Sequence, residues 1–420
     1  MVIHKSEKEK NTETLLLTEN YSLVTGGRDT APLSNVLVIG GAGEDKIFSF
    51  IAPNILQASG SYVITDVSGS LHERYGKFLE HRGYEVRCLN LIDPEKGCHY
   101  DPLRCARSIN DVKRLARMLV TNIPSKTESP SVARAEEKLA AALIAYVNYH
   151  MFRGTRVIPA LRDLFANGGP DVIKESLDNT FRAFSYDDPV AYAGSLYEVY
   201  SAETPKETQL AAIDSLLRRL RTIGTDKLRY IMQENDIRFD TVWKRKTALF
   251  VITPPHPVPE GFLVSVLYSQ IFDAMQSERK TGGPDRFPVH TTFIMDHFAG
   301  FGKIPELYGK LRMLPACRAT AVAMLRSPQT LKTVYGDTAD WPHLTEECFE
   351  TKVLLGGLDT FSMNWLSMHH LADVPANLRP FIMISNPVAA VLTPEAVYID
   401  AKYRAADHPN KDEAAWCREL

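Results

Sequence analysis

Residues 35–47, NVLVIGGAGEDKI, constrain the fold of this chain more than any other stretch. A short apolar run of β-branched character, 36–39, leads directly into a turn that is rich in glycine. A strand that ends in such a turn is built like a phosphate-binding loop of the pattern G-x-x-x-x-G-K-[ST]. The positions that fit this nucleotide-binding pattern are Gly40, Gly41, Gly43 and Lys46.

Two positions depart from the phosphate-binding pattern. The last glycine is replaced by Asp45, and the hydroxyl residue that would hold magnesium is replaced by Ile47. Glycine allows the backbone to approach the phosphates, and the hydroxyl is a metal ligand. The carboxylates of Glu44 and Asp45 add repulsion, which at ~5 Å and an effective dielectric near 20 amounts to about 3 kcal/mol for each like-charge pair. The loop therefore predicts a nucleotide-binding fold with a doubtful capacity for hydrolysis.

Alternating strand and helix patterns predict an α/β fold with a parallel sheet around this loop, because the helical stretches have the length that parallel crossovers need. Between residues 106 and 234 the apolar residues instead recur at helical spacing. We therefore predict a loosely ordered lead-in segment, 1–34, and a discontinuous core, 35–105 and 235–420, with an all-helical insertion, 106–234. The predicted strands are 36–39, 62–65, 86–91, 247–253, 290–295, 319–325, 352–355 and 381–384.

Composition bounds the class of protein. The formal net charge of the 420 residues is −3, so nucleic-acid contact would need a local basic patch or assembled partners. The six cysteines include no C-x-x-C pair, which favours a reducing cytoplasmic compartment. A zinc site at Cys88, Cys98 and Cys105 is disfavoured by its spacing. The apolar stretch 139–152 is too short to cross a bilayer, which takes about 20 residues, so we expect no membrane anchor in this chain.

Two aspartates follow predicted strands. Asp296 comes after the run FIM, where a nucleotide hydrolase places the aspartate that positions magnesium. Asp66 ends the run YVIT, and its alternative role is a loop or helix cap. Gly41 and Gly43 followed by Asp66 also match part of a dinucleotide-binding pattern, but the third glycine of that pattern is Lys46 here. The phosphate-loop interpretation is therefore preferred.

Several stretches in this order resemble the TraG/TraD-type coupling proteins of type IV secretion, the DNA-transfer ATPases of conjugative elements. They are 35–71, 81–103, 290–311 and 351–360, and the closing DAKYRAADHPN, 400–410, resembles the Gram-positive mobile-element branch. The resemblance implies a RecA-like P-loop NTPase core with an inserted all-α domain, ATP and magnesium as cofactors, and Asp296 as the magnesium ligand. It also implies a hexamer that works with the conjugative secretion machinery on a DNA-relaxase complex.

The departures from the family pattern fall on the chemistry. The catalytic glutamate of the family corresponds to His297, which could accept a proton in its place. The arginine-finger stretch is Pro-Ala-Cys at 315–317, with Arg318 one position later, and the glutamine that senses nucleotide is Arg326. Serines flank Gly69 where the family has Lys and Glu. Together with Asp45 and Ile47, these changes indicate relaxed selection on hydrolysis, while the apolar strands remain.

We therefore predict a coupling-protein-like pseudo-ATPase that binds DNA, a relaxase or paralogous subunits, in a hexamer or in a mixed ring with an active paralogue. The alternatives are an active translocase, in which Lys46, His297 and Arg318 compensate, and a degenerate copy. The expected location is cytoplasmic or peripheral at the inner face of the cell membrane. The helical insertion carries Arg218, Arg219 and Arg221, which form either a binding patch or a solvated helix face.

Overall fold

A computed structural model describes most of the chain, and its strands and helices are numbered in chain order below. The described residues are 3–5, 14–25, 35–40, 46–125, 129–150, 161, 168–182, 191–281, 287–336, 340–369, 388–393 and 397–419. The strands are β1 Ile3–Lys5, β2 Thr14–Leu16, β3 Tyr21–Val24, β4 Val36–Ile39, β5 Ser61–Val67, β6 Glu85–Asn90, β7 Thr247–Thr253, β8 Thr291–Met295, β9 Ala319–Leu325, β10 Thr351–Leu354, β11 Val388–Leu392 and β12 Val397–Ala401.

Helices account for most of the remaining described residues. They are α1 Ala52–Leu56, α2 Ser70–His81, α3 Pro102–Cys105, α4 Ile109–Asn122, α5 Pro130–His150, α6 Pro170–Arg182, α7 Ala191–Glu203, α8 Lys206–Ile223, α9 Asp226–Met232, α10 Phe262–Lys280, α11 Leu307–Met313, α12 Gln329–Tyr335, α13 Asp340–His343, α14 Thr360–His369 and α15 Lys411–Glu419. Wider π-type turns, Ile47–Ile51 and Leu344–Cys348, precede α1 and follow α13. Shorter 3₁₀ turns are Pro94–Lys96, Phe239–Trp243, Pro259–Gly261, Pro315–Cys317 and Ala405–Asp407.

The fold is organised around a nine-stranded sheet in the order β12-β11-β10-β4-β9-β8-β5-β7-β6. The pairings from β10 through to β6 are parallel, and β11 and β12 are added antiparallel at one edge. The predicted α/β class with a parallel sheet is confirmed. The strand predicted at 381–384 lies outside the described residues.

Both faces of the parallel strands are buried, which explains their continuous apolar sequences. In β4, Leu37 and Ile39 join one hydrophobic cluster, whereas Val36 and Val38 join a second cluster on the opposite face. Side chains alternate with a period of two, so each strand contributes to both cores. These two cores fix the register of β4 and therefore the place where the glycine-rich loop begins.

Helices fill the described part of the chain between β6 and β7, apart from the short turns. Their apolar side chains, including Leu115, Leu143 and Leu216, belong to the same cluster as Leu37 of β4. Helical spacing in the sequence therefore corresponds to a helical region that packs continuously with one face of the sheet. The domain boundaries at 106 and 234 stay a prediction.

The amino-terminal segment is more ordered than its composition suggests. Strands β1, β2 and β3 form a small antiparallel sheet, in the order β1-β3-β2. Asn54 of α1 exchanges hydrogen bonds with the backbone of Leu16, at 2.8 and 3.0 Å. Asp400 of β12 accepts hydrogen bonds from Thr18 and Asn20. The expected loose order of the lead-in is therefore wrong for 14–25, because contacts far away in the sequence hold these short strands.

The arginines of α8 do not share one surface. Arg219 is buried, and its Nε lies 2.6 Å from Oε1 of Glu136 on α5, which also accepts a hydrogen bond from Ser215 at 2.9 Å. Arg218 pairs with Asp214 one turn earlier. Only Arg221 of the three is fully exposed. Both interpretations of Arg219 from the sequence, as a binding patch or as a solvated face, are wrong.

Two further findings concern the described residues as a set. None of their helices is both long and apolar enough to cross a membrane. Their histidine, cysteine and acidic side chains form no group of three or more that is placed to hold a metal ion.

Burial raises the pKa of the Cys88 thiol to about 11 and that of Cys105 to about 12.

We expect Arg219→Ala to lower the free energy of unfolding by about 3–5 kcal/mol, because it leaves the buried Glu136 carboxylate without its counter-ion. The matched control, Arg221→Ala on the exposed side of α8, should stay within about 0.5 kcal/mol of the parent. Urea unfolding followed by circular dichroism measures both. Equal effects of the two substitutions would contradict the buried ion pair.

Candidate functional site

The residues predicted from different parts of the sequence meet at the carboxyl edge of the sheet. Strands β4, β9 and β8 are neighbours and run in parallel, so the segments that follow them leave the sheet together. Lys46 comes from the segment after β4, Arg326 follows β9, and Asp296 follows β8. Ligand sites of open α/β sheets form at this edge.

Lys46 and Asp296 form an ion pair across the top of β9. Lysine Nζ lies 3.0 Å from Oδ1 of the aspartate, and the two side chains are only 10% and 14% exposed. The same oxygen accepts a hydrogen bond from the backbone N–H of His297 at 2.8 Å. The positive charge that would meet a phosphate is therefore neutralised within the protein.

Ile47 faces a hydrophobic environment. Its side chain packs against the second core, next to Phe50 and Ile51 in the turn that leads into α1. A larger residue at Gly40 would be crowded, because an added Cβ would lie 3.0 Å from Cβ of Leu355. Gly41, Gly43 and Asp45 lie outside the described residues. The residue in the place of the magnesium-binding hydroxyl thus contributes packing and no oxygen.

His297 is exposed, and its ring lies against its own loop. The imidazole is 5.7 Å from the Phe301 ring in an edge-to-face arrangement. A Cβ built on Gly300 would come within 2.1 Å of the His297 Cδ2, so the ring covers that glycine. The backbone of His297 is left-handed, with φ of +55°. The described contacts of the His297 ring are thus with its own loop, and its role as a base stays a prediction.

The two arginines lie at opposite ends of β9. Arg318 precedes the strand, seven residues from its far end, and at about 3.3 Å per residue that places it roughly 20 Å from the Lys46 edge. Its guanidinium donates hydrogen bonds to the carbonyl of Phe287 at 2.9 Å and to that of Pro288. The described contacts of Arg318 thus brace the segment before β8, and its role as a finger stays a prediction.

Arg326 is exposed at the same edge as Lys46, beside the segment that follows β10. Burial alone would raise the pKa of the Asp359 carboxyl. Hydrogen bonds from Ser362 and the positive charge of Arg326 outweigh burial, and the pKa of Asp359 lies below its ordinary value. Ser362 donates both its backbone N–H, at 2.7 Å, and its hydroxyl, at 2.5 Å, to Asp359. The predicted sensor position is therefore occupied by a cation that faces a carboxylate of its own chain.

Asp66 is a helix cap. Its Oδ2 accepts the backbone N–H of His72 in the first turn of α2, at 2.8 Å, and the residue is fully buried. Burial raises the pKa of the Asp66 carboxyl, and its Oδ1 has no hydrogen-bond partner within the described part of the chain. The turn before α2 needs left-handed backbone at Ser68 and Gly69, with φ of +92° and +85°. A carboxylate enclosed in this way cannot reach a ribose, which excludes the dinucleotide alternative.

These residues fit a magnesium-nucleotide complex poorly. Magnesium requires oxygen ligands in octahedral geometry and binds proteins through one or two carboxylates or hydroxyls. Of the described residues at this edge, Asp296 offers a carboxylate that is already paired with Lys46, and Ile47 offers no ligand atom. Of the residues that the structure describes here, Lys46 and Asp296 are the charged pair of the predicted site, and residue 47 supplies no side-chain ligand for a metal.

Comparison with known proteins identifies the family. The family described as "Type IV secretory system Conjugative DNA transfer" matches residues 2–351. The chain belongs to this family. The resemblance to conjugative coupling proteins is thereby confirmed over most of the sequence. A comparison with curated proteins returns no match.

Solved structures of the conjugative coupling protein TrwB share the fold. TrwBdeltaN70 in its trigonal form with sulphate is 16% identical, with a TM-score of 0.65 over 89% of this chain and 86% of that one. TrwB in complex with ADP and Mg²⁺ is 15% identical, with a TM-score of 0.62 over 88% and 86% of the two chains. VirB4 of Thermoanaerobacter pseudethanolicus is 10% identical, with a TM-score of 0.56 over 97% and 99%. The predicted RecA-like P-loop NTPase fold class is confirmed.

We expect Lys46→Met to lower the free energy of unfolding by about 1–3 kcal/mol, because Asp296 then loses its counter-ion in a mostly buried place. The double variant Lys46→Met/Asp296→Asn should be more stable than the sum of the single effects predicts, since no charge is then left unpaired. Urea unfolding of the parent and the three variants measures this coupling. Additivity within about 0.5 kcal/mol would show that the ion pair contributes nothing to the fold.

Proposed function

We propose that this chain is a coupling-protein component of conjugative DNA transfer that does not hydrolyse ATP at a significant rate. The observation that carries the proposal is the closed Lys46–Asp296 pair, together with the partly buried Ile47, which packs against the second core. Binding of a phosphate at Lys46 would have to compete with a carboxylate at 3.0 Å. The side chain of residue 47 has no oxygen that could hold magnesium and so offset the loss of the Lys46–Asp296 ion pair.

The activity that remains is binding. Two intact hydrophobic cores, on the two faces of the sheet, preserve the shape of a family member even where its chemistry has changed. We propose that the chain uses this shape to join a hexamer, or a mixed ring with an active paralogue, and to contact DNA or a relaxase. The discontinuous core, 35–105 and 235–420, would carry the ring contacts, with the insertion 106–234 and the lead-in 1–34 attached to it.

The cofactor binding proposed for this chain is weaker than that found in its relatives. TrwB has been solved with ADP and Mg²⁺ and with non-hydrolysable ATP and GTP analogues. For this chain we propose at most weak nucleotide binding, with Gly40, Gly41, Gly43 and Lys46 as the contacts and Asp296 as the only magnesium ligand. The proposed location is cytoplasmic or peripheral at the inner face of the cell membrane.

One observation favours the second candidate, an active ATP-dependent DNA translocase. Lys46 and Asp296 lie together at the carboxyl edge, as a working site requires, and Arg326 is exposed at the same edge. In that case His297 would have to leave Gly300 and act as the base, and Arg318 would have to reach a neighbouring subunit. A degenerate copy without activity would show neither hydrolysis nor binding to partners.

We expect the purified protein, with single- or double-stranded DNA present, to release phosphate from ATP no faster than its Lys46→Ala variant does. The triple variant Asp45→Gly/Ile47→Thr/His297→Glu restores the glycine, the hydroxyl and the carboxylate, and it should gain DNA-stimulated hydrolysis of at least about tenfold over background. A parent turnover within the range of an active motor that disappears in Lys46→Ala or Asp296→Ala would overturn the proposal.

A further inference from the structure

The loop that follows Asp296 has an unusual backbone. Residues 297–306, called the 297–306 loop below, connect β8 to α11. Four of its ten residues have left-handed φ, namely His297 at +55°, Ala299 at +67°, Gly302 at +108° and Glu306 at +57°. Three of the four are not glycine, so the local sequence disfavours this conformation. Contacts from outside the loop must hold it.

Asn122, the last residue of α4, makes the most extensive of these contacts. Its Oδ1 accepts the backbone N–H of Lys303 at 2.7 Å, and its Nδ2 donates to the backbone carbonyl of Lys303 at 2.9 Å. Nδ2 also lies 2.9 Å from Oγ of Ser265 on α10. One side chain from the helical region thus satisfies both backbone groups of a loop residue, as a neighbouring strand would.

Gly302 is adapted to this contact. A Cβ at this position would lie 2.6 Å from both Cγ and Oδ1 of Asn122, and the φ of +108° already disfavours a side chain. Arg114, two turns earlier on α4, holds the helix to α10 through Asp273 at 2.6 Å. Asn122 therefore lies at the end of a helix that is anchored to α10, and its side chain contacts the loop at Gly302 and Lys303.

The opposite end of the loop is joined to the ion pair. The backbone N–H of His297 donates to the same Asp296 oxygen that holds Lys46. Phe298 N–H bonds to the carbonyl of Met324 at the end of β9, at 3.1 Å. Six residues, 297–302, three of which have left-handed backbone, thus separate Asp296 from Lys303, the residue that Asn122 contacts.

We propose that Asn122 is a positioning residue that keeps the Lys46–Asp296 pair closed through the 297–306 loop. The proposal deepens the proposed function, on which its biological purpose rests, since it states how the helical region controls the ion pair at the edge of the sheet. Release of Asn122 removes two hydrogen bonds from Lys303, and the loop then relaxes away from its left-handed conformation. Asp296 moves with the loop and exposes Lys46.

The first test is hydrogen–deuterium exchange of the parent, Asn122→Ala and Asn110→Ala, without nucleotide. Asn110 lies on the exposed side of the same helix and is the matched control. The Ile304 N–H donates to the Tyr335 hydroxyl at 3.1 Å. In Asn122→Ala, exchange in peptides that cover 297–306 should rise by about tenfold or more, because the amides of Phe298, Lys303 and Ile304 lose protection together. Asn110→Ala should match the parent. Unchanged exchange in Asn122→Ala would overturn the proposal.

The second test measures transmission to the ion pair. The rate of Lys46 acetylation by a soluble anhydride, followed by mass spectrometry, should rise several-fold in Asn122→Ala and remain at the parent value in Asn110→Ala. A more mobile loop with an unchanged rate at Lys46 would overturn the link to the ion pair. Neither readout requires ATP, so active hydrolysis would refute the proposed function and leave this result standing.

A double-substitution cycle covers the case in which Asn122→Ala unfolds the chain. Gly302→Ala introduces both the clash with Asn122 and backbone strain, whereas in Asn122→Ala/Gly302→Ala only the strain remains. The increase in loop exchange caused by Gly302→Ala should therefore be at least about threefold smaller when Asn122 is absent. If Asn122→Ala does not fold, Asn122→Ser, which removes the Oδ1 and amide group that a Cβ at position 302 would meet and keeps a short polar side chain, serves as the background. Equal increases in both backgrounds would overturn the contact.

Discussion

The structure depends on the parallel pairing of β4 between β9 and β10. This pairing buries both faces of a four-residue strand, so the position at which the chain leaves the sheet is fixed by two hydrophobic cores at once. Lys46, Asp296 and Arg326 meet only because three neighbouring strands end at the same edge. A register slip of one residue in β4 would reverse which of its side chains face each core.

At that edge, electrostatics and packing act against metal chemistry. A lysine paired with an aspartate at 3.0 Å, both mostly buried, is already satisfied without a ligand. Ile47 contributes to the core in the place of a metal ligand, and the His297 ring covers Gly300. The fold and the ion pair support each other, which gives a physical reason why a member of this family that does not hydrolyse ATP, as we propose for this chain, would remain stable.

Much of the fold could be predicted from the sequence, since β4, β5 and β7 are apolar on both faces and α4 and α8 show helical spacing. The placement of Lys46 and Asp296 in one site also followed, because each belongs to the segment after a buried parallel strand, but their direct ion pair was not predicted. The missed features depend on contacts between distant residues. The small amino-terminal sheet is held by Asn54 and Asp400, and the burial of Arg219 depends on Glu136 from another helix. Neither contact leaves a periodic signal in the local sequence.

The side-chain directions at the site were equally inaccessible to sequence reasoning. The family resemblance predicts His297 at the position of a catalytic glutamate, yet its left-handed backbone and the absence of a side chain at Gly300 let its ring fold back onto the loop. Asp66 sits at a strand end like Asp296, but it caps α2 instead of facing the edge. Strand-end position alone therefore does not distinguish a cap from a ligand.

The central claim is that this edge of the sheet no longer supports a magnesium-nucleotide complex. The most direct measurement is the affinity for ATP by isothermal titration calorimetry, with Mg²⁺ and with a chelator in its place. The account predicts that Mg²⁺ does not strengthen binding, because Asp296 is engaged by Lys46 and residue 47 has no oxygen. An affinity that rises tenfold or more with Mg²⁺, about 1.4 kcal/mol, and that is lost in Asp296→Ala, would contradict it.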